Sequence, residues 1–168
     1  MFRLDHIGLV TKNIEELAHV FRTLGLNEIT ESLENPRQKV AGSFVNVGGN
    51  EDVYVEILEP TRNDSPISKF LEKQGGGLHH LCFEVDDIKK TSRELVEKGF
   101  NMIVSPEDCE AYDENLKRRC NGVTKIAFFI VSDRLLIELI EKGRLTLTPN
   151  AQRELRKYKF CNTSSIIS

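Results

Sequence analysis

Leu4-Asp5-His6-Ile7-Gly8-Leu9-Val10 has a counterpart later in the same chain: Asp5-His6-Ile7-Gly8-Leu9-Val10 aligns with His79-His80-Leu81-Cys82-Phe83-Glu84, His6 falling on His80. The match runs on without a gap, Ile14 meeting Ile88, Gly25 meeting Gly99 and Leu26 meeting Phe100. A second pair, Val53-Tyr54-Val55-Glu56-Ile57-Leu58-Glu59 and Leu135-Leu136-Ile137-Glu138-Leu139-Ile140-Glu141, aligns Glu56 with Glu138 at an offset about eight residues larger. Internal self-similarity of this kind means one structural unit used twice. The extra residues of the second copy belong in its polar stretch from Glu107 to Arg119.

Each copy reads as strand, helix and three strands. Residues 2–10 alternate as a strand does; Asn13 then caps a helix whose apolar positions Ile14, Leu17, Phe21 and Leu24 recur at helical spacing until Gly25 ends it. Strands follow near 26–33, 38–47 and 52–58, with turn signals at Asn35-Pro36 and Gly48-Gly49-Asn50. The second copy places a strand at 78–85, an Asp86-Asp87 cap, a helix through Ile88, Leu95 and Val96 to Gly99, and strands near 100–105, 122–130 and 133–140. Between the copies, Asp64-Ser65-Pro66 starts a helix over Ile67 to Lys73 that stops at Gly75-Gly76-Gly77. The expected organisation is one α+β domain over 1–142, with module one at 1–60, a linker helix within 61–77 and module two at 78–142, followed by a tail at 143–168. Within the tail, Pro149 to Lys159 reads as a short surface helix.

The composition narrows the function. With 39% hydrophobic and 29% charged residues over 168 positions, the chain has the balance of a globular protein. At this length roughly 68–70% of the unfolded surface can be buried, so no metal is needed merely to hold a core. Any metal is then functional. Lys and Arg total 23 against 26 Asp and Glu, a net charge of -3, which disfavours nucleic acid and anionic lipid as partners. The longest apolar run, Ile126 to Val131, is far short of a membrane span, and Met1-Phe2-Arg3-Leu4-Asp5 lacks the apolar core of a secretory signal. Four cysteines, Cys82, Cys109, Cys120 and Cys161, show no Cys-x-x-Cys spacing and read as reduced thiols, so the expected location is cytoplasmic.

Residues at i and i+2 of a strand share a face. His6 therefore lies with Leu4, Gly8 and Val10, and His80 with Cys82 and Glu84. Glu56 and Glu138 interrupt strands otherwise too apolar to face water. A single strand histidine is ordinarily a hydrogen-bonded structural residue, and a single strand glutamate sits on a wet face. Four such residues at duplicated positions point instead to a cation or a cavity, because an unpartnered buried carboxylate is costly. Two imidazoles and two carboxylates suit one divalent ion, with Zn, Ni, Co, Fe and Mn all compatible.

These segments, together with Asp64-Ser65-Pro66-Ile67, Lys69-Phe70-Leu71, Gly75-Gly76-Gly77-Leu78-His79-His80, Phe83-Glu84-Val85-Asp86-Asp87-Ile88 and Leu136-Ile137-Glu138-Leu139, resemble the vicinal oxygen chelate (glyoxalase/bleomycin resistance) superfamily, closest to its methylmalonyl-CoA epimerase-like branch. The resemblance covers about residues 3–142. It implies paired β-α-β-β-β modules forming a cup-shaped mixed eight-stranded sheet, often a homodimer, around a metal held by His6, Glu56, His80 and Glu138. It also implies an isomerase or lyase that removes a proton α to a carbonyl of a small carbonyl or acyl-CoA substrate, with Glu138 both ligand and base. His79, on this alignment, projects to the layer opposite His80. The second glutamate of the epimerases falls here on Gly42, which leaves chemistry on one face of the substrate. Cys82, on the metal side of its strand, and Arg118 and Arg119, in the enlarged loop, are candidate substrate contacts. A lactoylglutathione lyase-like enzyme and a non-catalytic small-molecule binding protein of the same fold are the alternatives.

Overall fold

The computed structural model describes residues 2–49, 53–118, 120–132 and 135–145. The first module comprises β1 (Arg3–Val10), α1 (Ile14–Thr23), β2 (Leu33–Asn35), β3 (Val40–Asn46) and β4 (Tyr54–Pro60). After α2 (Ser68–Gln74) the second comprises β5 (Gly77–Glu84), α3 (Ile88–Glu97), β6 (Asn101–Asp108), α4 (Glu110–Asn115), β7 (Cys120–Asn121), β8 (Lys125–Ser132) and β9 (Leu135–Glu141), with β10 (Arg144–Leu145) beyond it. Eight strands make one curled sheet in the order β2-β3-β4-β1-β5-β9-β8-β6, while β10 and β7 form a separate ribbon. β1 runs parallel to β4, β5 runs parallel to β9, and the antiparallel β1–β5 pair is the seam between the modules. The strand order is symmetric about that seam. The helix expected over 149–159 lies outside the described residues.

The duplication extends to the caps. Asn13 Oδ1 accepts from Glu16 N at 3.1 Å and Asp87 Oδ1 from Lys90 N at 2.8 Å. Glu59 and Glu141, the glutamates that close the two aligned strands, accept from the first helical amides, Ile14 N at 2.9 Å and Ile88 N at 2.8 Å. Each carboxylate satisfies an orphan amide and sits at the positive end of a helix. The helices then pack in parallel ways. Ile14 and Ala18 of α1 meet Ala41, Val45 and Ile57, whereas Ile88 of α3 meets Val85, Ala127, Phe129 and Leu139. The opposite, concave face is left for the site.

Three boundaries differ from the sequence reading. The strand expected at 26–33 is a single bridge at Ile29 followed by β2 at Leu33–Asn35. Thr30 explains this: its N–H still donates to Phe44 O at 2.9 Å, but Phe44 N goes to its hydroxyl and its carbonyl accepts from Ser43 Oγ, so side-chain bonds take half of the ladder there. β8 begins at Lys125 rather than 122, since Thr124 N is taken by Asp113 Oδ2 at 2.9 Å. β6 extends to Asp108 beside it. The enlarged loop of the second module holds α4 and β7.

The seam carries two bulges. Leu4 and His6 face Phe83 and Cys82, leaving Asp5 extra on β1; Gly8 and Leu9 face His80 and Leu78, leaving His79 extra on β5. Bulges re-aim the side chain that they insert. Asp5 and His79 are equivalents under the internal repeat, so both halves use the same device.

Candidate metal centre

β1, β4, β5 and β9 are the four central strands, and each sends one predicted residue to the same point. His6, Glu56, His80 and Glu138 offer donor atoms that all lie within 4.8 Å of one another. Glu138 Oε2 is 3.0 Å from His6 Nε2 and 3.1 Å from His80 Nε2; Glu56 Oε2 stands at 3.5 and 3.4 Å from the same nitrogens. The two Nε2 atoms are 3.2 Å apart. His6, His80 and Glu138 are buried, and Glu56 is 17% exposed.

Register explains the convergence. Gly8 pairs with both Glu56 and His80, and its repeat equivalent Cys82 pairs with both His6 and Glu138. A Cβ at Gly8 would stand 2.1 Å from His80 Cε1, so glycine is what lets that imidazole lie across β1. Phe44 from β3 packs edge-on against His6 and Phe128 from β8 against His80, with centroids 5.6 and 5.9 Å apart.

Burial would disfavour charge on both imidazoles, yet their neighbours outweigh it. Hydrogen bonds to Asp5 and Glu138 hold His6 well above its ordinary value, and Glu138 and Glu56 raise His80. Burial would raise Glu138, but hydrogen bonds from both histidines pull it down to about 2. The cluster thus holds negative charge and attracts positive charge. Two nitrogen lone pairs facing each other at 3.2 Å need a cation or a proton between them. Donor separations of 3.0 to 3.5 Å are those of atoms sharing one ion at about 2.1 Å. The residues fit a divalent metal.

The cluster forms the floor of a cavity of about 470 Å³ whose walls are largely apolar, among them Val40, Leu58, Ile67, Ile103 and Phe128. Gly42 and Tyr112 line it as well, and Arg37 is the only Lys or Arg to do so among the described residues. Several sequence expectations are corrected here. His79 does not project to the other layer: the bulge turns it into the cavity wall, its Nδ1 3.1 Å from His80 Nδ1 and its ring edge-on to Phe70 at 4.9 Å. Cys82 is fully buried among Phe44, Tyr112, Ile126 and Ile140 and does not line the cavity. Burial and Glu138 push its thiol well up, so it is packing material between ligand strands. Cys109 lines the cavity in its stead. Arg118 faces away, 3.4 Å from Asp113 and 5.9 Å from the centroid of the Tyr112 ring. Arg119 lies outside the described residues.

Asp5 and Tyr112 escaped the sequence reading. Asp5 is wholly buried; its Oδ1 is 2.7 Å from His6 Nδ1 and accepts from Tyr112 Oη at 3.0 Å, and Lys142 Nζ pairs with Oδ2. A lone acid beside a histidine in an apolar strand was a usable signal for Asp5. Nothing marked Tyr112, which stands in the unrepeated insertion.

Comparison with known proteins places the chain in a family. Residues 5–117 match the model of the Glyoxalase/Bleomycin resistance protein/Dioxygenase superfamily, and the chain belongs to that superfamily. Among its relatives are methylmalonyl-CoA epimerases: the mitochondrial enzyme of Mus musculus is 34% identical over 126 residues, 72% of this chain and 69% of that protein. The Homo sapiens counterpart is 34% identical over 97 residues, 57% of this chain. That match spans only 53% of the human protein's length. A solved methylmalonyl-CoA epimerase in complex with methylmalonyl-CoA and ammonium superposes with a TM-score of 0.69 at 25% identity, covering 88% of this chain and 99% of that one.

Proposed function

We propose that this protein is a divalent-metal-dependent enzyme of the epimerase-like type, which moves a proton at the carbon α to the carbonyl of an acyl-CoA or similar small carbonyl compound. The observation that carries the reading is the convergence of His6, Glu56, His80 and Glu138 at the floor of an apolar cavity. In this reading those four residues hold the ion, which when bound would draw off the negative charge that develops on the carbonyl oxygen. The chain supplies the rest. Glu138, at the cavity floor beside the other three, is the carboxylate that takes the α-proton and returns it. Val40, Leu58 and Phe128 keep water from the reacting carbon. Arg37 at the wall supplies a positive group for an anionic substrate.

Position 42 supports chemistry on one face. A Cβ there would stand 3.8 Å from Glu56 Oε1, so a side chain at this point would enter the cavity beside the cluster. With glycine in place no carboxylate reaches in from β3. A homodimer belongs to the same proposal through the family pattern, and free Cys82, Cys109 and Cys120 accord with a reducing, cytoplasmic location.

Solvent exchange tests the reading. Metal-loaded protein in D2O should place deuterium at the α-carbon of methylmalonyl-CoA, and Glu138→Gln should slow this about 10²- to 10⁴-fold. Undiminished exchange in that variant removes Glu138 from the mechanism. Racemisation alongside exchange removes the one-face reading.

A further inference from the structure

Each cluster histidine turns Nε2 to the centre and Nδ1 to a bulged residue of its own strand. For His6 the partner is Asp5, at 2.7 Å; for His80 it is His79, at 3.1 Å. Asp5 and His79 occupy equivalent positions of the repeat, so one device has been given two chemistries. Asp5 is further gripped. Tyr112 Oη donates to both its oxygens, at 3.0 and 3.1 Å, and Lys142 Nζ, itself 3.1 Å from Glu84, holds Oδ2. Tyr112 in turn packs edge-on against Phe44 at 5.5 Å and has the Arg118 and Lys142 cations 5.9 and 6.0 Å from its ring centre. On the His80 side, His79 rests on Phe70.

A carboxylate accepting from an imidazole N–H makes a charge-assisted bond, roughly twice as strong as one between neutral partners, and it leaves the far nitrogen a better donor to a metal. A second imidazole in the same place is a neutral acceptor. We propose that the two histidines are unequal anchors: Asp5, held by Tyr112 and Lys142, makes His6 the principal imidazole ligand of the centre, and His80, backed by His79, the secondary one. Tyr112 is then a positioning residue acting through Asp5 and His6. The insertion that supplies it is present only in the second module, yet it serves a ligand of the first.

The inference rests on the metal-binding reading of the cluster, and the test separates the two. The full chain is stripped by a chelator and titrated with Co²⁺, following the visible bands and competition with a chromophoric chelator. Wild type should bind. Asp5→Asn should weaken binding about 10- to 100-fold, Tyr112→Phe should weaken it in the same direction with a shifted Co²⁺ spectrum, and His79→Gln should change it less than about threefold. Tyr112→Phe removes one oxygen and retains the ring, so it answers the question even if Asp5→Asn fails to fold, and its metal-free melting temperature shows whether packing has changed. Wild-type affinity and spectrum in Tyr112→Phe overturn the proposal, as do equal losses in Asp5→Asn and His79→Gln. No Co²⁺ uptake by wild type overturns the metal reading itself, and the inference with it.

Discussion

Gly8 shows how little room the centre leaves. It pairs with Glu56 on one side and His80 on the other, and the His80 ring occupies the space where any other residue would carry Cβ. Its φ is not in the left-handed region, so alanine is excluded by crowding and not by conformation. Gly8→Ala is expected to push the imbalance onto His80: the imidazole must swing aside, and metal affinity should fall at least about tenfold while the strand content measured by circular dichroism stays the same. Unchanged affinity would mean that the His80 ring can retreat without leaving the cluster. The mirror position tolerates a small side chain, and Cys82 fills it.

At the scale of elements, α4 ties the two ends of the curled sheet together across the cavity. Asn115 Nδ2 donates to Gly42 O at 2.9 Å and to Glu31 O at 3.3 Å, and Asp113 takes Thr124 N at 2.9 Å and Thr124 Oγ1 at 2.7 Å. Asn115→Ala leaves the buried Gly42 carbonyl without its side-chain donor, which costs about 1–3 kcal/mol. The expected result is a lower urea midpoint with an unchanged denaturant slope; a midpoint that does not move would show that α4 contributes nothing to closure. These same bonds explain what could be read in advance. α1, α3 and the four central strands were legible because period, cap and helix-ending glycine agree at Asn13 and Gly25 and again at Asp87 and Gly99. The four cluster residues were legible because the repeat set them in pairs. α4 was not, because Glu110-Ala111-Tyr112-Asp113-Glu114-Asn115 carries no apolar period and is held by long-range hydrogen bonds that a local pattern does not encode. His79 was misjudged, and Asp5 passed over, for a related reason: strict alternation fails at a bulge, and a bulge is a property of two strands together.

For the molecule as a whole, the cluster links protons, metal and stability. His6 and His80 are raised on folding, so their stabilisation of the metal-free chain is complete below about pH 6.5, the ordinary histidine value, and is lost as pH rises through the raised values. Glu138 is lowered, so its share is present above about pH 4.3 and is lost as pH falls toward about 2. The metal-free protein should therefore melt at a lower temperature at pH 9 than at pH 6. A metal needs deprotonated imidazoles, so uptake releases protons and the gain in melting temperature on adding Zn²⁺ should widen over the same interval. Scanning calorimetry of both forms decides it: a metal-free melting temperature that climbs from pH 6 to pH 9 contradicts the linkage.

The seam between β1 and β5 has one more consequence. His6 and Glu56 come from one half of the chain and His80 and Glu138 from the other, so neither half owns a complete set of donors. A rotation of one half against the other would change all four cross-seam separations at once, whereas a distortion inside either half would leave the remaining pair intact. Occupancy of the centre is thus a gauge of the angle at which the two halves meet, and an ion seated there acts as a rivet through the joint.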